Sequence, residues 1–319
     1  MIINIPTKSD FDESANNLLN LAWEQITALL NEYSQLSEVF DDSKFDESDS
    51  TRYWAAARQT LTTSLSLIQQ AVEFFVKGRI VSISPYLLIS GMPSSWPKGS
   101  NKTDLSFSSF RSIDAHDLIK VHDTVFGERL SDKFIQFNNQ MREQRNKIIH
   151  TVDKQIEVHP ERLLESVLFV HDYFLGHYKW LDSRKDYSYN QPSNAPRHIR
   201  LEGLNEPYLL LDLLSDLEIV VNNLTPKIVK DYFGFNKKSH ALHCPKCYEK
   251  LSRIDFFEHE LLEDTFRSYR KIDMNEYKCV VCDYHGELAS TKCAEDYCES
   301  SYVDLESGLC LGCGWENPR

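Results

Sequence analysis

Met141-Arg142-Glu143-Gln144-Arg145-Asn146-Lys147-Ile148-Ile149-His150 is the stretch from which the architecture is read. It closes an amphipathic pattern that begins near Leu130. Phe134, Phe137, Met141, Ile148 and Val152 recur at helical spacing and make one buried stripe. At about 100° per residue, Asn139, Asn146, His150 and Asp153 fall on the opposite side. Arg145 is the exception, because it lies beside the apolar stripe one turn after Met141. A guanidinium there must snorkel, find a partner or face a cleft, since burying an unpaired charge is expensive.

Working outward, the same reading gives a bundle. Residues 10–40 form a helix with Leu18, Leu19, Ala22, Trp23, Ile26, Leu29 and Leu30 on its apolar face, capped by Asp10 or Asp12. A second helix runs from about Thr51 to Lys77, with Gly78 as its stop. Residues 79–102 are irregular, broken by Pro85, Gly91, Pro93, Pro97 and Gly99, yet apolar enough to pack on the domain or to form a lid. Asp114 to Phe126, Ser131 to Val152, and a helix opened by Pro160 complete the set. Residues 182–206 are polar and proline-rich and mark a boundary. Glu206 to Asn222 and Pro226 to Tyr232 are helical, with Thr225 as a cap.

The 319 residues suffice for two domains, and 41% hydrophobic with 12% aromatic content supports a real core. A formal charge of −13 excludes a protein that coats nucleic acid with a uniformly basic surface, though not one with a local basic cleft. Eleven acids fall in residues 1–50 against Lys8 and Lys44. No signal-peptide pattern and no apolar run near ~20 residues is present, so the expectation is a cytoplasmic protein without a membrane span.

All eight cysteines follow residue 240, in four pairs: Cys244/Cys247, Cys279/Cys282, Cys293/Cys298 and Cys310/Cys313. Three pairs are C-x2-C knuckles, whose turn brings two thiolates to one tetrahedral ion. Eight ligands imply two structural Zn2+ ions. Sequential pairing gives one site from Cys244, Cys247, Cys279 and Cys282, and another from Cys293, Cys298, Cys310 and Cys313. Interleaved pairing and redox pairs are the rivals. The second half, Cys310-Leu311-Gly312-Cys313-Gly314-Trp315, resembles a zinc ribbon. Before and around the first knuckle, Lys227, Lys230, Lys237, Lys238, Lys246, Lys250 and Arg253 interleave with Tyr232, Phe233, Phe235 and Tyr248. Cations with aromatics suit single-stranded RNA; the bland reading is a solvated face over a minor core. His240, His243 and His285 beside the cysteines read as bystanders.

Arg145-Asn146-Lys147-Ile148-Ile149-His150 reads R-N-x-x-x-H and resembles the R-x(4–6)-H signature of the HEPN superfamily. That resemblance implies an all-helical domain, which the boundary read above places at residues 1–185, followed by bridging helices (186–238) and the tandem zinc-ribbon module read from the cysteines (239–319). It further implies a metal-independent endoribonuclease of the defence or toxin type, working as a homodimer. Arg145, Asn146 and His150 would be catalytic, RNA the substrate, and an antitoxin or trigger protein a further partner. A permanently charged fork suits a phosphorane anion and an imidazole suits proton transfer. Arg142 and Glu143 stand at the rim or as solvated charges. Against this, Arg145 pairs with an acid across the bundle and His150 fills the helix end. The rival functions are a catalytically inactive binding or sensor protein and a DNA-acting zinc-ribbon protein.

Overall fold

The computed structural model describes residues 1–39, 46–151, 158–191, 205–238, 242, 244–252, 270–273, 275–289 and 291–317. At residues 38–39, 149–151, 205–206 and 270–273 the backbone alone is described. The chain is mainly α-helical with a small C-terminal sheet, and divides into two compact units, Met1–Val170 and His171–Arg319.

The first unit is built on a helical hairpin, α1 (Lys8–Val39) along α2 (Glu47–Val81). Leu19, Ala22, Trp23, Ile26 and Leu30 of α1 bury against Leu61, Leu65, Ile68, Val72 and Phe75 of α2. The start of α1 is a reciprocal cap. The Asp10 carboxylate accepts from Thr7 N and Oγ1 at 2.7 Å each, while Asp10 N–H donates to Thr7 Oγ1 at 3.2 Å. Thr7 is therefore the cap and Asp10 its third-position partner. Gly78 does not end α2, which continues through it to Val81. A Cβ there would meet Asp12 Oδ1 at 3.0 Å and Phe11 Cβ at 3.2 Å. The glycine serves close approach of the first turn of α1, not termination.

Between the helices, the irregular stretch packs down. Leu88 is buried in a short 3-10 turn, Pro85–Leu88, that lies on α2, and Trp96 meets the Phe110 ring edge-on at 5.7 Å. β1 (Ile2–Ile3) pairs in parallel with β2 (Leu105–Ser106). Then come α3 (Ala115–Val125) and α4 (Asp132–Thr151), both packed on α2. Phe134, Met141 and Ile148 are buried along α4 as the helical spacing predicts, and Phe137 packs on Phe169 of α5 (Pro160–Leu175) at 4.6 Å.

In the second unit, α6 (Trp180–Tyr189) lies where the sequence reads as a polar boundary. Its buried Arg184 donates to Asp216 of α7 (Asn205–Asn223) at 2.9 Å. α8 (Pro226–Phe233) starts on Thr225, whose Oγ1 accepts from Ile228 N–H, and ends on left-handed Gly234. α9 (Pro245–Leu251) grows out of the first knuckle and packs on α7. An antiparallel sheet follows in the order β3 (Arg270–Asp273), β4 (Glu276–Cys279), β5 (His285–Ala289), β6 (Val303–Asp304). Tyr277 faces Gly286 across β4 and β5, and a Cβ on Gly286 would sit 2.7 Å from the phenol ring. That glycine lets Tyr277 lie flat over the strand and join Leu242 and Leu311 in a small core.

Candidate functional site

The eight thiols gather into two groups, Cys244, Cys247, Cys279 and Cys282, and Cys293, Cys298, Cys310 and Cys313. Within each, all four sulfurs lie within 4.8 Å of one another. The resolved pairs are 3.5 Å (Cys244–Cys282), 3.7 Å (Cys247–Cys279), 3.6 Å (Cys293–Cys313) and 3.8 Å (Cys298–Cys310). A tetrahedral ion with metal–sulfur bonds of ~2.3 Å spaces its sulfurs by ~3.8 Å, whereas a disulfide needs ~2.05 Å. The spacing fits one four-thiolate metal ion per group and fits no disulfide. It also selects sequential over interleaved pairing.

Local chain geometry explains each cluster. The first draws on the start of α9 and the turn after β4, the second on the turns that flank β6. Asp283 N–H donates to Cys279 O (3.1 Å) and Gly314 N–H to Cys310 O (2.8 Å), so the two knuckles close the same way. Burial opposes the Cys310 thiolate, but backbone N–H groups of Cys313 and Gly312 hold the thiol below its ordinary range. Cys247 is pushed up, first by its contact with Cys244, then by the other thiols and by burial. A cation is the group that relieves such crowding. An ion held by four protein thiolates would have no position left for substrate, which is the pattern of a structural site rather than a catalytic one. Cys244, Cys247 and Cys279 are buried, while Cys293, Cys298 and Cys313 are only half-buried.

Tyr277 Oη donates to Asp304 Oδ1 at 2.6 Å, and Asp304, fully buried, also accepts from Ser307 N and Oγ. This network ties the strand carrying Cys279 to the strand before Cys310. Neither residue stands out in the sequence.

The second candidate lies on α4. Arg145 is half-buried beside Met141, and Asn146 is exposed one position on. Among the described residues no acid pairs with Arg145. Glu143 is engaged by Lys147 at 2.6 Å, whose hydrogen bond holds its carboxyl below the usual range. Arg142 lines a cleft with Gln69, Glu73 and Asn138, and Gln69 Oε1 is buried there without a hydrogen bond among the described residues. At about 10 Å³ the cleft has room for a single water, not a substrate. The side chain of His150 lies outside the described residues, as do Val152, Asp153, His240, His243, Arg253 and the linker 192–204.

Several expected surface groups prove to be structural. Lys237 Nζ donates to the carbonyls of Leu224 (2.6 Å), Val221 (2.8 Å) and Asn222 (3.3 Å), capping the C-terminus of α7. Phe233 and Phe235 are buried. The two phenylalanines thus fit the minor-core reading of the basic–aromatic stretch, while Lys237 is committed to a helix end and is not a solvated charge. Histidines without an assigned partner also find places. His122 Nδ1 is 2.8 Å from Asp123, which accepts Leu130 N–H and so ties α3 to the start of α4. His177 Nδ1 is 2.5 Å from Asp172, and His171 is buried against Trp180. No helix among the described residues is long and apolar enough to cross a membrane. No family model matches the chain, and no curated protein or solved structure matches it either.

Proposed function

We propose that the helical unit is an endoribonuclease of the HEPN type, with Arg145, Asn146 and His150 on α4 as its reactive set, and that the two cysteine clusters hold structural zinc. The observation that carries the first part is Arg145 itself. A guanidinium half-buried on a packed helix, with no acid paired to it among the described residues, is poised for an anion from outside. Asn146 lies exposed beside it, and His150 follows one turn later on the same continuous helix.

In the proposed reaction the His150 imidazole takes the proton of an RNA 2′-hydroxyl. The 2′-oxygen attacks the adjacent phosphorus, the bond to the 5′-oxygen breaks, and a cyclic phosphate remains. Arg145 stabilises the pentacoordinate anion, and an imidazolium returns the proton to the 5′-oxygen. One helix supplies only one imidazole and one fork, so two copies facing each other would complete the set. Antitoxin or trigger-protein control belongs to the same proposal.

Zinc, once bound to four thiolates, supplies folding free energy rather than chemistry. Soft thiolates in a tetrahedron favour it over harder divalent ions. Metal analysis is expected to give two zinc ions per chain.

The test of the nuclease is RNA cleavage in buffer without added divalent cation, with the cyclic phosphate read on the product. His150→Ala and Arg145→Ala are each expected to lower cleavage at least a hundredfold, with circular dichroism and metal content unchanged. Undiminished cleavage by both variants, or none by the wild type, removes the assignment. A second reading, a binding or sensor protein without cleavage, is favoured by one observation. Residues 291–317 carry a single lysine against six acids while exposing Tyr297 and Trp315, a surface that suits a protein partner better than a phosphate chain.

A further inference from the structure

The second unit contains a cavity of about 210 Å³ enclosed by the approach to α6, the end of α8 and the first metal knuckle. Its aromatic lining is Trp180 and Phe233, both buried, with Tyr178 and Tyr232. Gly234 keeps one wall thin, since a Cβ there would touch the Tyr178 ring at 3.3 Å. Lys278 and Asp283 complete the lining. The volume is below the ~300–1,000 Å³ of sites for drug-sized ligands, so one flat ring system fits and a whole dinucleotide does not.

Two of the three non-glycine residues with left-handed backbone among the described residues lie here, Tyr178 (φ 60°) and Asp283 (φ 58°). Asp283 occupies the knuckle position that Gly314 fills in the second cluster, with the same N–H contact to the first cysteine carbonyl. Aspartate tolerates that conformation, and it places a carboxylate where the second cluster has a bare glycine. The carboxylate meets Lys278 Nζ at 2.7 Å, yet both side chains are more than half exposed. Such a pair is held weakly in water and can be exchanged for a ligand. The aromatic cavity thus presents an ammonium donor beside two carboxylate acceptors.

We propose that this cavity takes an unpaired guanine base. Guanine alone among the common bases sets an acceptor, O6, beside two N–H donors, at N1 and N2. The Asp283 carboxylate accepts both donors, Lys278 donates to O6, and the rings stack on the tyrosines. Adenine and cytosine offer one exocyclic donor, and uracil one N–H between two carbonyls, so each leaves a carboxylate oxygen unmet. The charge distribution agrees on which metal cluster a phosphate-bearing ligand approaches. Lys227 and Lys230 are exposed on α8, whereas residues 291–317 are acidic. This inference rests on the cavity and stands apart from the chemistry on α4.

The experiment is isothermal titration calorimetry on the full-length, metal-loaded protein carrying His150→Ala, so that no cleavage intervenes. The titrants are GMP, AMP, CMP and UMP, and then uridine hexamers with and without one guanosine. Saturable GMP binding at least tenfold tighter than the other three is expected. Asp283→Asn keeps a residue tolerant of the left-handed backbone and should bring GMP down to their level, with metal content unchanged as the folding control. A guanosine-containing hexamer that binds more tightly than GMP assigns the base to a single strand; the reverse order assigns it to a free nucleotide. Equal affinities, no saturable heat with any nucleotide, or an unaltered GMP affinity in Asp283→Asn overturns the proposal. Binding of N-acetyltryptophanamide but no nucleotide would show a pocket for a peptide side chain and overturns it as well.

Discussion

His171 sits against the Trp180 ring at 5.1 Å with 2% of its surface exposed, and burial pushes its pKa down to about 4 despite the pull of Asp182. In the unfolded chain it titrates near 6.5. Between those values the unfolded state holds a proton that the native state lacks, so stability falls as the pH drops from about 6.5 towards 4. The whole effect is about 3 kcal/mol, of which about 2 is lost by pH 5. Denaturant unfolding at pH 7 and pH 5 should show that loss in the wild type, and His171→Phe should flatten it. A loss of the same size in the variant would place the titration elsewhere. Single residues are also where sequence misleads. Gly78 has the look of a helix stop, because a terminating glycine and a close-packing glycine are identical in one dimension. Only the approach of Phe11 and Asp12 distinguishes them. Arg145 was legible as an anomaly on its stripe, since burial of a cation is a statement about one residue. Its relation to His150 depends on side-chain placement, which spacing does not determine.

At the scale of elements, the helices were read within a few residues wherever an apolar face repeats, as in α1, α4, α5 and α8. α9 went unread, and so did α6, whose polar sequence carries little periodic signal. It is fixed by a buried ion pair, Arg184 to Asp216, between residues far apart in the chain. The end of α7 shows a similar long-range device. Lys237 reaches back to three terminal carbonyls, and its burial holds its pKa below the usual lysine range. Hydrogen bonds from a charged donor to helix-end carbonyls make this a capping interaction of about 2 kcal/mol. Lys237→Met keeps the stem and removes the donor, and is expected to lower stability by that amount in denaturant titration. A change under ~0.5 kcal/mol would mean that water satisfies those carbonyls equally well. By sequence Lys237 suits an RNA-facing cation and a solvated one equally, because a sequence records its charge but not what that charge meets.

For the whole molecule, the two four-cysteine clusters share a geometry and differ in shelter. Three of four sulfurs are buried in the first centre, while three of four are half-exposed in the second. A chelator or thiol reagent should therefore remove the ions in two resolved steps, the second-cluster ion first. The first step should leave helical circular dichroism nearly unchanged. Release of both ions together would instead mean that the Tyr277–Asp304 network makes the clusters one cooperative body. The four cysteine pairs were legible in the sequence, but sequential and interleaved grouping both fitted their spacing, and only the placement of the sulfurs separates the two. The aromatic cavity beside the first knuckle was not legible, because its walls come from three separate stretches. One further consequence lies in how the first centre spans the chain. Thirty-one residues separate Cys247 from Cys279, yet their sulfurs meet in one cluster, and an ion held there would fix both ends of that interval. Closing a longer loop adds only ~0.6 kcal/mol for each doubling of length. Lengthening the chain between α9 and β3 would therefore cost little in closure entropy, while the staple made by the four thiolates stays in place.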